Sequence, residues 1–169
     1  VSYDGGEVVL SIPYDPHASC MAGLCPTILR TNQPHYLDRY DRLSVTLRAE
    51  KPITLVGIHF KTCDGKQFFI VPQTDGKEQR NYQIPADKSI NLDFDLASAI
   101  DIREGNFPFP RDLRKKIALM QITFRSTEKE NKVFLKKIAP YYDASENPSG
   151  AETKTAAKEN KDKLFIYGY

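Results

Sequence analysis

A chain of 169 residues is long enough for one domain with a real core and short for two. Its 24 basic and 22 acidic residues balance closely, so no strong overall field draws nucleic acid or an acidic membrane surface. The 40% hydrophobic content, with 9 Phe and 9 Tyr, argues against disorder over most of the length. No apolar run approaches the roughly 18 residues that a membrane helix needs.

Taken in order, Tyr3-Asp4-Gly5-Gly6 predicts a turn and Glu7 to Ile12 a strand, ended by Pro13. Tyr14 to Tyr36 carries Pro16, Pro26 and Pro34, a density that forbids a long helix or a central strand. One short strand fits between Cys25 and Arg30. The rest reads as a long loop, of the kind that often binds ligands. Cys20 and Cys25 have the spacing of a small disulfide loop, which would leave Cys63 free. The odd count leaves the redox compartment open. No signal peptide is read, and the opening at Val1 fits a processed secreted chain as well as a trimmed one.

The stretch from Tyr40 to Pro85 is the most patterned part of the chain. Leu43, Val45 and Leu47 alternate with Ser44, Thr46 and Arg48, the period of a half-buried strand. Lys51-Pro52 breaks that run. Ile53 to Lys61 follows, with Val56, Ile58 and Phe60 expected on one face and Leu55, Gly57, His59 and Lys61 on the other. Asp64-Gly65 predicts a tight primed hairpin turn and Gln67 to Val71 its return strand. Asp75-Gly76 predicts a second turn, and Asn81 to Ile84 runs as a strand into Pro85. Together these predict a four-stranded antiparallel meander.

Ser89 to Ala97 alternates Ile90, Leu92, Phe94 and Leu96 with Asn91, Asp93 and Asp95, a strand with a polar outer face. Asn106 to Pro110 is an aromatic-proline loop. Asp112 to Lys115 predicts one helical turn before a strand from Ile117 to Arg125. Lys132 to Ile138 predicts another strand with Val133, Leu135 and Ile138 inward. Residues 144–163 read as a polar linker or surface excursion, and 164–169 as a closing strand of the same domain, which spans 1–143. Many short strands and almost no helix predict an all-β fold, an antiparallel β-sandwich of jelly-roll type.

Catalytic patterns are sparse. No nucleophile elbow occurs, and His17, His35 and His59 are too scattered among the cysteines for a zinc site. Asp93 and Asp95 share one strand face, as glycoside hydrolysis would require of paired carboxylates, but the plainer reading is a solvated outer face. Asp4 and Glu7 are weak candidates for a structural calcium. No other cofactor, no metal ligand and no catalytic residue is predicted. The lysines of 154–163 alternate with acids and read as a solvated segment.

Strand parity offers one binding face. With Leu43, Val45, Val56, Ile58, Phe68 and Ile70 inward, Arg48, His59, Lys61, Gln67, Phe69 and Gln83 fall on the opposite side, joined by Gln121, Thr123 and Arg125. Planar polar groups that bond hydroxyls, beside a ring that covers the apolar face of a sugar, are what a glycan site needs. An outward sheet face is polar in any case, which is the plainer alternative. Loop aromatics at Tyr14, Tyr36, Phe107 and Phe109, with His17, form a competing location.

The run Tyr40-Asp41-Arg42-Leu43-Ser44-Val45-Thr46-Leu47-Arg48, the strand Ile53 to Phe60, the Asp64-Gly65 turn and Tyr82-Gln83-Ile84-Pro85 resemble the middle of jelly-roll carbohydrate-binding modules of the galactose-binding-like group. Lys116 to Arg125 and Val133 to Ile138 resemble their closing strands, so the likeness covers about residues 40–140. Members often carry an Asp near a structural calcium where this chain has Lys136-Lys137, and often present Trp to the sugar, of which there is none here. The resemblance implies a non-catalytic module, secreted or at the cell surface, that binds a polysaccharide or oligosaccharide and cooperates with an attached catalytic domain. A protein-interaction or assembly module on the same fold is the first alternative, and a small hydrolase or lyase the second.

Overall fold

The computed structural model describes residues 2–13, 27–35, 37–101 and 111–142. The strands in chain order are β1 (Ser2–Asp4), β2 (Glu7–Pro13), β3 (Thr27–His35), β4 (Arg42–Ala49), β5 (Ile53–Thr62), β6 (Gln67–Ile70) and β7 (Gln73–Thr74). They continue with β8 (Lys77–Glu78), β9 (Tyr82–Ile84), β10 (Ile90–Asp95), β11 (Ile100–Asp101), β12 (Ile117–Arg125) and β13 (Glu130–Tyr141). The predicted helical turn is a single 3-10 turn, Leu113–Lys115. The predicted Tyr14, His17, Tyr36, Phe107 and Phe109 loops, the Cys20–Cys25 pair and the segments 144–163 and 164–169 lie outside the described residues.

The strands form two antiparallel sheets packed as a sandwich. The larger runs β1-β2-β13-β4-β10-β7-β8, and the smaller β11-β6-β5-β12-β3, with β9 added against the start of β5. Alternation puts Leu43, Val45, Leu47, Leu92, Phe94, Val133 and Leu135 on the inner side of the larger sheet. Leu55, Ile58, Phe60, Phe68, Ile70, Ile122 and Phe124 meet them from the smaller one. Phe60, Phe68, Phe94 and Phe124 are among the largest fully enclosed side chains, so rings from both sheets fill the middle of the core.

Three local expectations change. The stretch from Tyr40 to Pro85 is not one meander: β4 belongs to the larger sheet, while β5, β6 and β9 belong to the smaller, so the chain crosses the sandwich at Lys51-Pro52. Asn131 holds that crossing, accepting from the Lys51 amide at 3.0 Å and donating to the Lys51 carbonyl at 3.1 Å. The face assignment in β5 also changes. Thr123 pairs with Gly57 and Phe124 with Leu55, which leaves Val56 as the extra residue of a β-bulge. Leu55 therefore joins Ile58 in the core, and Val56, though buried, stays outside the core cluster.

The third change concerns the turns. Asp75 and Gly76 both take positive φ, +52° and +72°, and join Thr74 to Lys77 as a two-residue primed turn. Asp64-Gly65 forms a longer connection instead. The Thr62 amide donates to the Lys66 carbonyl at 2.9 Å, and of the two residues only Gly65 has positive φ. The Thr62 hydroxyl closes this loop, bonded to the Asp64 carboxylate and accepting from the Lys66 amide at 3.0 Å. Asp64 is thereby held below its ordinary pKa, chiefly by the Thr62 hydrogen bond.

One end of the sandwich is tied by charge. Arg114, buried on the 3-10 turn, donates to the Tyr40 carbonyl at 2.6 Å, and Arg111 ion-pairs with the buried Asp41 just before β4. Burial pushes the Arg114 pKa down, and the neighbouring Arg111 charge adds to that.

Candidate functional site

The outward side of the smaller sheet is built by three neighbouring strands. In β12 a second irregularity, between Ile117 and Leu119, lets Ile117 and Met120 both reach the core. Gln121 and Arg125 then remain on the outer side. Cross-strand register sets Phe69 of β6 opposite His59 of β5, and His59 opposite Gln121 of β12. Lys61 stands opposite Gln67 on one side and Leu119 on the other. Thr54 stands between Gln83 and Arg125. Of the sequence-predicted residues, His59, Lys61, Phe69, Gln83, Gln121 and Arg125 therefore share one face.

The centre of this face is an aromatic pair whose phenylalanine ring lies against a glycine. The His59 and Phe69 rings lie 4.6 Å apart, tilted by 57°. A Cβ on Gly57 would come within 2.4 Å of the Phe69 ring and 2.5 Å of the Ile70 carbonyl oxygen. Only glycine lets the ring lie down there, and its φ of +156° is one that side-chain-bearing residues rarely adopt. Burial lowers the His59 pKa, so near neutral pH the imidazole is uncharged, with one donor and one acceptor nitrogen.

Polar groups around the pair differ in availability. Gln83 is occupied: its amide nitrogen donates to the Thr54 hydroxyl at 3.0 Å and to the Asn81 carbonyl at 3.1 Å. Lys61, Gln121 and Arg125 make no side-chain hydrogen bond or ion pair among the described residues. Thr123, across from Gly57, is fully buried, and its hydroxyl has no partner. Beside Phe69 a shallow recess of about 40 Å³ is lined by Ile70, Val71, Glu78, Arg80, Ser98 and Ile100. It is far smaller than the several hundred Å³ of an enclosed ligand pocket, so the open face, not a cavity, is the candidate site.

Arg48 does not belong to it. The crossing at Lys51-Pro52 puts Arg48 on the outer side of the larger sheet, where it ion-pairs with Glu7 at 3.5 Å and its guanidinium lies 3.8 Å over the Phe134 ring. The weak calcium candidate Glu7 is engaged by that pair, and among the described residues no cluster of metal-ligating side chains occurs.

The same outer side holds a network that parity alone missed. Arg42 donates through Nε to Asp93 at 3.0 Å and through a terminal nitrogen to Gln73 at 3.2 Å. Tyr141 donates its hydroxyl to Asp93 at 2.7 Å. Burial alone would lower the Arg42 pKa, but Asp93 and Tyr141 outweigh it and hold the guanidinium firmly charged. Ser44 and Thr46 both donate to Asn91, and Asp95 accepts from the Ala97 amide at 2.8 Å. The available signal was the alternation itself: Arg42 and Asp93 each fall on an outward position of adjacent strands, but sequence does not reveal that β4 and β10 are neighbours. No known family, no curated relative and no solved structure matches the chain.

Proposed function

We propose that this chain is a non-catalytic carbohydrate-binding module that uses the outer face of the smaller sheet. The observation that carries the reading is the Phe69 ring set against Gly57 with the tilted His59 ring beside it, flanked by the unengaged Lys61, Gln121 and Arg125. A ring held in place loses little entropy on binding, and amide, imidazole and guanidinium groups bond hydroxyls with defined geometry. The strand pairing supports a jelly-roll reading of the sandwich: β2 with β13, β3 with β12, β4 with β10 and β5 with β6 are the pairs of a long ribbon wound up on itself.

Binding without chemistry fits the arrangement better than hydrolysis. Asp93 and Asp95 sit on the larger sheet, each already engaged, while His59 faces out from the smaller one. An acid and a base on opposite faces cannot share one substrate. The role that follows is to hold a secreted or cell-surface enzyme against a polysaccharide. The test is a glycan array with the wild type and the Phe69→Ala and Gln121→Ala variants, with thermal melts to check folding. Binding to one glycan class, lost in the folded variants, is the expected result. Binding to a protein partner and to no glycan would replace this reading with an interaction module.

A further inference from the structure

We infer that the glycan is acidic, bearing carboxylate or sulfate groups; this rests on the carbohydrate-binding reading and names its ligand class. The argument is the charge content of the face. Apart from Asp101 in the two-residue edge strand β11, the strands of the smaller sheet contain no Asp and no Glu, while they contain Arg30, Lys61 and Arg125. The larger sheet is mixed in charge: Glu7 and Asp93 lie in its strands matched to Arg48 and Arg42, and Glu78 and Glu130 lie there with Lys77, Lys132, Lys136 and Lys137. Net charge is only +2, so the cationic character of the smaller sheet is a local property, not a share of a generally basic surface.

Lys61 and Arg125 have no counterion among the described residues. Both therefore keep their charge available to a ligand. They also stand at opposite ends of the strip: Arg125 is level with Thr54 and Lys61 lies seven residues further along β5, one of them taken up by the bulge. At about 3.3 Å per residue that separation is on the order of 20 Å. The Phe69–His59 pair and Gln121 lie between them. A stacking ring in the middle with a cation at each end suits an extended chain that carries repeated negative charges. A neutral chain would leave both cations without a role, and an acidic peptide would leave the ring and amide without matching hydroxyls.

The experiment is affinity electrophoresis and calorimetry of the full chain with polygalacturonate, alginate and heparin as anionic probes. Methyl-esterified polygalacturonate serves as the same backbone with its charges capped, neutral xylan as an uncharged chain, and poly-glutamate as charge without sugar. The expected result is retention by at least one anionic polysaccharide, and weaker binding to the esterified chain, to xylan and to poly-glutamate. Lys61→Gln and Arg125→Gln each weaken that binding by about three- to tenfold, Lys61→Arg preserves it, and Lys137→Gln on the opposite sheet leaves it unchanged. Xylan or the esterified chain bound as tightly as the anionic probes would overturn the acidic inference while keeping the carbohydrate reading. Poly-glutamate bound equally well would overturn it too, and so would binding indifferent to Lys61→Gln and Arg125→Gln in folded protein. No retention by any glycan would remove both.

Discussion

The two outer faces of this sandwich are built on opposite terms. On the larger sheet Glu7 and Asp93 are engaged across strands, with Arg48 and with Arg42 and Tyr141, and Asp95 caps the turn after β10 through the Ala97 amide. On the smaller sheet the one strand carboxylate is Asp101 at the edge, Lys61 and Arg125 have no counterion among the described residues, and the centre is a ring pressed onto a glycine. Where polar groups satisfy one another, as around Asp93, little is left to offer a ligand. Lys61, Gln121 and Arg125, which no described group of the fold engages, instead keep their polar atoms open to solvent.

The largest effect that tests this contrast comes from the bulge that orients β5. Leu55→Ala should cost about 3 kcal/mol, as a buried leucine does when it leaves a cavity in a core. Val56→Ala, one residue on and outside the core cluster, should cost about 1 kcal/mol. Chemical denaturation of both variants checks it. Equal costs would mean that the bulge does not divide the two residues between core and outer side.

Next comes the seat of the ring. Gly57→Ala should destabilise by roughly 2–3 kcal/mol, since the new methyl meets both the Phe69 ring and a backbone carbonyl. Combining it with Phe69→Ala should recover only part of the loss, because the Ile70 oxygen stays 2.5 Å from that methyl. Full recovery in the double variant would reduce Gly57 to a space-maker for the ring alone.

On the larger sheet the matching experiment is smaller. Asp93→Ala strips partners from both Arg42 and Tyr141, whose contacts are half-exposed, and should cost about 1–2 kcal/mol. Arg48→Ala breaks only the looser pair with Glu7 and the contact over Phe134, about 0.5 kcal/mol. Raised salt should shrink both differences in melts of these variants. Costs for the smaller face's Lys61→Gln and Arg125→Gln should be near zero, since nothing in the fold engages them.

These particulars show what alternation alone can and cannot convey. Leu43, Val45 and Leu47, or Leu92 and Phe94, declare their strands and their inward side, because a period of two needs no knowledge of neighbours. Six members of the smaller face were legible in the same way, although Gln83 turned out to be occupied by Thr54 and Asn81. Arg48 was misplaced because a strand's parity does not say which sheet it joins; Lys51-Pro52 looks like a hairpin loop and is a crossover. Leu55 was misassigned because a one-residue bulge inverts every side chain before it relative to those after it. The Arg42–Asp93–Tyr141 network joins residues from three strands that are distant in sequence, a juxtaposition that only the sheet order supplies.

The smallest predicted effect is a pH dependence, and it separates the two faces by chemistry. His59 has its pKa lowered by burial, from an ordinary value of 6.5. Between the lowered folded value and about 6.5 the unfolded chain binds a proton at this position that the folded chain does not. Stability from this group is therefore fully present above about pH 6.5 and is lost as the pH falls through that window. Urea midpoints measured from about pH 7.5 down to about pH 5 should fall further in the wild type than in His59→Gln. Phe69→Ala, which takes away the ring that abuts the imidazole at 4.6 Å, should flatten the wild-type dependence toward that of the variant. Identical profiles for wild type and His59→Gln would place the imidazole in open water and remove the tilted pair from the centre of the face. A steeper profile in the wild type alone would fix the folded imidazole as neutral and enclosed beside the Phe69 ring.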